Sequence, residues 1–574
     1  MVHPDPMEPP PNPSRLKSDV EVRPPHDSLV AAFEHAARAD APFLTVHGAR
    51  GPTRRPIRDA LASSWQWSAA LRGRGVRRGD RVALLMPTGH SFVEALLGVM
   101  CTGAVPVPLA TPMTFGSVDR YLRNLSAVIA DCGARVLITY GRIAEAIARD
   151  HEIASSLRDV VTEAALSGIA PTWRRAPSIG AKDAAFIQYT SGTTGKPKGA
   201  VISHGALVAN AFAITNGLAI GPDDVGASWL PLFHDMGLVG VVLTSICHPY
   251  RVHVMAPESF VMRPRRWLEL VASVGATLSA APNFAYDLCA ARAGDVADIR
   301  LDSWRVALNG AEPVHARTVE RFSGRFDAVG FRPTAMMPVY GMAEATLAVT
   351  FPPLESGFET LSVDRESLEL RRRAVPSDTG VAHRAVSVGV PVAGTCVEVV
   401  DDAGRVVPEG TIGHILVSGP SLMDGYFHDD DASASAIGDG RLRSGDLGFV
   451  HRGRLFVTGR AKELIIKSGR NLHPADIERV ASEVTGPRGS CVAAFGRYSA
   501  RAGTDELVVV VETPHGDPAL RDRIASDIRA ELLGVLGVKA DDIRVCAVGS
   551  IPRTTSGKIR RHECARVFAA EGEA

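Results

Sequence analysis

The run Tyr189-Thr190-Ser191-Gly192-Thr193-Thr194-Gly195-Lys196-Pro197-Lys198-Gly199 restricts this chain more than any other stretch. The apolar Ala184-Ala185-Phe186-Ile187-Gln188 before it predicts a buried strand, and Leu207 to Ile214 after it predicts a helix. Hydroxyls, glycines and lysines between a strand and a helix suit the phosphates of a nucleotide. Glycine lets the backbone approach an anion, amides and hydroxyls donate to it, and lysine adds charge. The ordinary P-loop pattern is not met: two residues, not four, separate Gly192 from Gly195, and Pro197 follows Lys196. Taken as a bare pattern of small residues, the run could equally be a surface loop.

At 574 residues, with roughly 150 residues to a domain, the chain has room for two to four units. Sixty-three basic residues balance sixty-three acidic ones, which argues against a broad nucleic-acid or anionic-membrane face. The eight cysteines are scattered without a CxxC, so buried free thiols in a reducing, cytoplasmic setting are expected. The proline-rich opening, residues 1–25, reads as a flexible tail without a signal core, and no later run is long and apolar enough to span a bilayer.

The first third alternates in type. Pro56 to Arg72 predicts a helix, Arg81 to Pro87 a buried strand, Ala104 to Pro108 another, and Val118 to Ile129 a helix before Ala134 to Thr139. That alternation is α/β wiring around strands buried on both faces. Ser91 and Glu94 form a candidate capping box. Further on, Trp229, His234, Asp235 and Met236 share one string, where the His-Asp pair reads either as an acid–base pair or as a structural histidine beside a helix-start aspartate. Asn283 and Phe284 sit at a strand-to-helix turn, Gly310-Ala311-Glu312 precede Pro313 at an expected helix start, and Tyr340 precedes Glu344 at the expected head of a helix. From Gly394 to Gly419 short strands and Asp/Gly turns suggest a small β subdomain, with Asp446 in a glycine-flanked turn beyond it. After Arg460 and Lys462 come about one hundred residues of α+β pattern, ending in a basic loop that holds Lys558.

Taken together and in order, these motifs resemble those of the adenylate-forming enzymes, from Ile57 to Arg561. The fold expected from that resemblance is a large α/β and β N-terminal domain, residues 26–459, with a smaller α+β C-terminal domain, 463–574, turning about a hinge at 460–462. ATP and Mg2+ are the implied cofactors. The resemblance puts Thr190, Ser191, Gly192, Thr193, Thr194, Gly195 and Lys198 at the phosphates, and Thr190 and Glu344 at the metal. Gly310, Ala311, Glu312 and Tyr340 go beside adenine, and Asp446 and Arg460 at the ribose. The acyl pocket falls to Trp229, Met236, Asn283, Phe284 and Gly310, the path of the nucleophile to His234, the hinge to Lys462 and the bridge between carboxylate and α-phosphate to Lys558.

Phe351 to about Arg384 is an excess over most CoA ligases and resembles the insertion of the fatty acyl-AMP ligases. The implied activity is conversion of a medium- or long-chain fatty acid to its acyl-adenylate, followed by transfer to the phosphopantetheine thiol of an acyl carrier protein. A fatty acyl-CoA ligase is the alternative. Gly195 to Gly199 and Lys467-Ser468-Gly469 suit it, whereas Arg470 stands where a second glycine is usual. A non-enzymatic binding protein of this fold would lack a motif lysine or acid, and none is missing.

Overall fold

The computed structural model describes residues 12–41, 43–111, 118–170, 178–190, 197–378, 382–485, 491–499, 503–554 and 558–569. A parallel sheet and a mostly parallel one, the second closed at one edge by the antiparallel pair Leu44–Gly48 and Gly51–Arg54, form the first layers. One runs Val105–Pro108, Arg81–Leu84, Val136–Ile138 and Asp159–Val161. The other has Val225–Ser228 between Leu278–Ala281 and Arg251–Met255, extended by Val306–Asn309 and Met336–Pro338 on one side. Apart from that edge pair, their side chains are almost all buried, as crossover helices on both faces require.

An antiparallel sheet of ten strands completes the large unit. It is not the small subdomain expected from Gly394 to Gly419. It also takes in Tyr340–Gly341, Ala348–Phe351, His383–Pro391, Arg441–His451 and Arg454–Arg460. Residues 12–25 depart from the expected tail, because Arg15–Lys17 pairs antiparallel with Cys396–Val400 and Ser14 is fully buried. Gly389 shows how tightly the sheet closes. At φ +84° a Cβ there would lie 2.1 Å from the Phe351 carbonyl oxygen, so only glycine fits.

Local readings shift where tertiary contacts outweigh pattern. The 189–199 run does not lead straight into a helix. It joins the antiparallel strands Ala184–Thr190 and Lys198–Ser203, and the helix His204–Gly217 follows with Ser203 as its cap. Pro313 starts no helix, since the next one begins at Ala316. Glu344 lies in a single tight turn, Ala343–Ala345, rather than at a helix head. Asp446 sits inside the strand Arg441–His451, not in a turn.

The excess segment folds as the strand Thr360–Val363 on His383–Pro391 and the helix Arg365–Arg371, capped by the Asp364 carboxylate. Val363 and Leu368 are buried with Ile412, Phe449 and Phe456, while Leu370 stays exposed. Past the turn Ala461–Glu463, Val492–Ser499, Thr504–Thr513 and Asp542–Ala547 form a mixed sheet. Pro474–Thr485 and Pro518–Leu536 cover one face with Ile477, Val480, Ile528 and Leu532. The helix Arg561–Ala569 covers the other with Cys564 and Phe568.

Ser91 and Glu94 do not make a capping box. The helix starts at His90 behind Gly89, and no side chain caps it. Glu94 turns inward instead, and its Oε1 lies 2.8 Å from Arg55 Nε. Burial pushes this carboxyl up from 4.5 to about 7 despite the pull of Arg55. The folded chain therefore holds a proton that the unfolded chain has shed between those values, and stability falls as pH rises through that window. Glu94→Gln is expected to flatten this fall and to exceed wild type at pH 8 by about 1–3 kcal/mol. Urea midpoints at pH 5, 6.5 and 8 check it, and parallel curves for the two proteins would show that the Arg55 pair cancels the burial cost.

Candidate active site

The site lies in a continuous cleft of about 3710 Å³ between the ten-stranded sheet, the seven-stranded sheet and the C-terminal unit. That is several times an ordinary small-molecule pocket of roughly 300–1,000 Å³, so more than one ligand fits. One wall comes from strand register. Asp446 lies opposite Arg460 on the paired strands Arg441–His451 and Arg454–Arg460, and the Asp446 Oδ1 to Arg460 Nε distance is 3.3 Å. The Tyr340 hydroxyl donates to Asp446 Oδ2 at 2.6 Å. Burial raises the Asp446 carboxyl above its ordinary range, against the opposing pull of Arg460 and the Tyr340 hydrogen bond. A carboxylate held this way can accept two hydroxyls of one sugar.

Beside it runs Gly310-Ala311-Glu312. A Cβ on Gly310 would lie 2.7 Å from Val339 Cγ2 and 3.0 Å from the Val339 carbonyl oxygen, so this glycine serves a close backbone approach. The space beside its α-carbon is thus filled by Val339. Ala311 has φ +67°, a conformation that costs an alanine of order 1 kcal/mol and is typical of a site held by its surroundings. Glu312 turns away from the strip, and its Oε1 accepts from the Phe284 amide at 2.5 Å, in the first turn of the helix Asn283–Arg292. Burial raises the Glu312 carboxyl even so.

The expected phosphate end is described in part, because Ser191, Gly192, Thr193, Thr194 and Gly195 lie outside the described residues. Thr190 and Lys198 flank the gap, and both line the cleft. Lys198 Nζ stands 5.0 Å from the centre of the Tyr426 ring and 3.8 Å from Asp429 Oδ2. The Tyr426 hydroxyl donates to Glu344 Oε1 at 2.9 Å. Tyr426 and Asp429 were missed in the sequence, since they reach the site only because Gly425–Tyr426 pairs with Lys198–Ser203. The signal that could have found them is the short string after Gly425, an aromatic followed three residues later by an acid.

On the apolar side Trp229 stacks on Phe260 with 3.9 Å between ring centres, and Phe284 meets its edge. Met236 is buried beside them in the same cluster. Asn283 borders the cleft but spends its amide on bracing. Its Nδ2 donates to Thr318 Oγ1, and its Oδ1 accepts from Asn309 Nδ2 and from the His315 amide. It is a prop of the wall more than a surface for a chain. His234 Nδ1 lies 2.6 Å from Asp235 Oδ1.

Lys558 closes the cleft from the C-terminal unit. Burial pushes its ammonium group down from 10.5, with Asp235, Glu312 and Asp446 pulling up and Arg460 pushing down. Burial likewise pushes Asp235 up, but His234 and Lys558 hold it below the usual carboxylate range. The lysine lines the same cleft as Asp235, Glu312 and Asp446. Lys462 is exposed in the turn Ala461–Glu463 that follows Arg460.

Asp446→Asn is expected to weaken ATP binding by about 10- to 100-fold, the scale of a lost charge-assisted hydrogen bond. Fatty-acid binding should stay within a factor of two or so. Calorimetric titration of both ligands decides it, and an unchanged dissociation constant for ATP would take Asp446 out of the nucleotide site.

Residues 34–427 match the family of AMP-binding enzymes. A structure from work on fatty acyl-adenylate ligases of E. coli and L. pneumophila superposes with TM-score 0.89 at 33% identity, over 96% of this chain and 99% of the other. The medium-chain-fatty-acid–[acyl-carrier-protein] ligase JamA of Moorena producens is 34% identical over 524 residues, 87% of each chain. FadD21 of Mycobacterium tuberculosis, a chain named for fatty-acid–CoA ligation, is 36% identical over 530 residues, 85% of this chain and 88% of its own. The chain thus belongs to the AMP-binding enzyme family and stands with the fatty acyl-AMP ligases within it.

Proposed function

We propose that this enzyme converts a medium- or long-chain fatty acid to its acyl-adenylate with ATP, and then passes the acyl group to the phosphopantetheine thiol of an acyl carrier protein. The observation that carries the reading is that Lys558 lines one cleft together with Trp229, Phe284 and the Asp446–Tyr340–Arg460 group. A carboxylate is a poor electrophile because its oxygen leaves badly. Its attack on the α-phosphorus of ATP forms a P–O bond while the bond to the bridging oxygen breaks, and pyrophosphate departs with the electron pair. Charge grows on the phosphoryl oxygens, and one fixed donor there contributes about 3–4 kcal/mol.

In this reading Lys558 holds the carboxylate against the α-phosphate. Lys198, Thr190, Ser191, Thr193 and Thr194 hold the outer phosphates, with Gly192 and Gly195 giving them backbone access. Tyr340 and Ala311 flank adenine, Asp446 and Arg460 hold the ribose, and Trp229, Met236 and Phe284 receive the chain. Each buried CH2 adds about 0.8 kcal/mol. His234 borders the path by which the thiol arrives. The sulfur then bonds to the acyl carbon, AMP leaves with the anhydride oxygen, and the thiol proton passes to solvent. The oxygens of Glu344 and Thr190 are hard donors of the kind Mg2+ takes. Among the described residues no three His, Cys, Asp or Glu side chains converge on a metal position. The ion would therefore rest on these two residues and on the phosphates, and when bound it supplies positive charge there.

A latch supports the carrier protein as the acceptor. Glu369, on the helix Arg365–Arg371, is buried and its Oε2 meets Arg470 Nε at 2.8 Å and Nη2 at 2.6 Å. Its carbonyl oxygen accepts from Asn471 Nδ2 at 2.8 Å. Arg365 and His383 approach Asp476 at 3.8 and 3.2 Å. Burial pushes the Asp476 carboxyl up, but His383, Arg365 and His473 hold it far below its usual range. The 351–384 segment thus grips the C-terminal unit, and Arg470 is the residue that departs from the CoA-ligase glycine. The grip favours the adenylating arrangement over a turn about Lys462, and so a carrier protein over coenzyme A. The likeness to FadD21 is what keeps the CoA reading open.

Wild-type protein with ATP, Mg2+ and C12 to C16 acids is expected to accumulate acyl-AMP, acylate a holo carrier protein and form little acyl-CoA, as read by mass spectrometry. Stoichiometric acyl-CoA formed as fast as the carrier protein is acylated would overturn the choice of acceptor.

Lys558→Ala should lower acid-dependent pyrophosphate release by about a thousandfold or more. Use of supplied acyl-AMP by the thiol should survive far better. Equal loss of both half-reactions would make the lysine structural.

Glu369→Ala, which frees Arg470, should raise acyl-CoA formation several-fold at unchanged pyrophosphate release. An unchanged product ratio would mean the latch does not select the acceptor.

A further inference from the structure

The strand Thr504–Thr513 carries Leu507 to Val511 as an unbroken apolar run and then places Glu512 in the interior. By alternation Glu512 continues the face of Val508 and Val510, which pack with Phe495, Cys564 and Phe568. Its side chain is 2% exposed. A carboxylate in such a place is costly unless donors meet it. Three do, all from the segment just ahead of Lys558. Oε1 accepts from the Gly549 amide at 3.0 Å and from the Ile551 amide at 2.7 Å, and Oε2 lies 3.3 Å from Arg553 Nη2.

That segment is the rising arm of a hairpin. Arg553 bridges Ile559, the Arg560 amide donates to the Pro552 carbonyl oxygen at 2.9 Å, and the Thr554 amide donates to the Lys558 carbonyl oxygen at 2.7 Å. The returning arm is tied separately. Arg561 reaches Glu478 with Nε at 2.8 Å and Nη2 at 2.7 Å, and Glu463 with Nη1 at 2.6 Å. Both feet of the hairpin are thus pinned by ion pairs, and the Glu512 foot rests on one buried carboxylate.

We propose that Glu512 is a positioning residue for adenylation, holding the foot of the hairpin so that Lys558 enters the cleft at a fixed depth. It touches no substrate and acts through the backbone. The inference rests on the adenylation role given to Lys558, and it predicts a loss in one half-reaction only. A lysine displaced by about 1 Å loses on the order of a hundredfold in rate.

The test measures both half-reactions in Glu512→Ala and Glu512→Gln. Gln keeps an acceptor for the two amides but loses the charge that holds Arg553. Pyrophosphate release should fall in kcat by about a hundredfold in the Ala variant and about tenfold in the Gln variant, with KM for ATP and fatty acid within about twofold. Thiol transfer from supplied acyl-AMP should stay within about twofold in both. In the Lys558→Ala background, Glu512→Ala should slow adenylation no further, because the two act as a unit. Equal loss of both half-reactions, full adenylation in the Ala variant, or additive loss in the double variant would each overturn the proposal. If the Ala variant does not fold, the Gln variant and Arg553→Met carry the same comparison. Wild-type protein that releases no pyrophosphate with any fatty acid would instead sink the functional reading, which separates the two failures.

Discussion

One cross-strand ion pair organises the cleft. Asp446 and Arg460 face each other on the last two strands of the large sheet, and Tyr340, from a strand at the far end of that sheet, closes on the same carboxylate. Because Arg460 is also the final residue of its strand, the pair fixes where the chain leaves the sheet and enters the turn at Lys462. The direction in which the C-terminal unit hangs over the cleft depends on that exit. A shift in the register of these two strands would separate Asp446 from Arg460, and by the period of a strand would turn the carboxylate to the other face.

The C-terminal unit is held by the same kind of chemistry. Glu369, Glu478 and Glu512 are buried carboxylates, each met by an arginine: Glu369 ties the large unit to Arg470, whereas Glu478 with Arg561 and Glu512 with Arg553 brace the C-terminal unit internally. Such pairs add little net stability when compared with apolar replacements, but breaking one partner costs about 3–5 kcal/mol. Their use here is therefore placement more than strength. Apolar contacts between the units would tolerate sliding, whereas a guanidinium that sets two N–H groups on one carboxylate oxygen, as Arg470 does on Glu369, tolerates little.

Much of the site was readable because its residues travel in strings. Tyr340, Asp446, Arg460 and Lys558 each sit inside a local motif, and the structure brings all four to one cleft. The parallel α/β wiring of the first third was also plain from runs such as Val82 to Leu85, which are buried. What escaped the sequence is what distant pairing creates. Tyr426 and Asp429 reach Lys198 through a strand contact that no local pattern encodes. Ser91 and Glu94 had the spacing of a capping box, yet burial of Glu94 against Arg55 took the carboxylate elsewhere. Asn283 had the right address, but its amide was already engaged by Asn309, Thr318 and His315. Propensity proposes these partners, and packing reassigns them.

The grip of Glu369 on Arg470 also has an arithmetic. A turn of the C-terminal unit would return both groups to water, so each ~1.4 kcal/mol by which the latched pair outweighs the hydrated groups lowers the turned population about tenfold. An acceptor that needs the turned form sees its affinity lowered by that same fraction. A small soluble thiol has little surface with which to make up the difference. A folded partner that docks across both units could supply it from its own interface, so on the proposed reading the latch would act as a filter on the size of the acceptor and not on its reacting group.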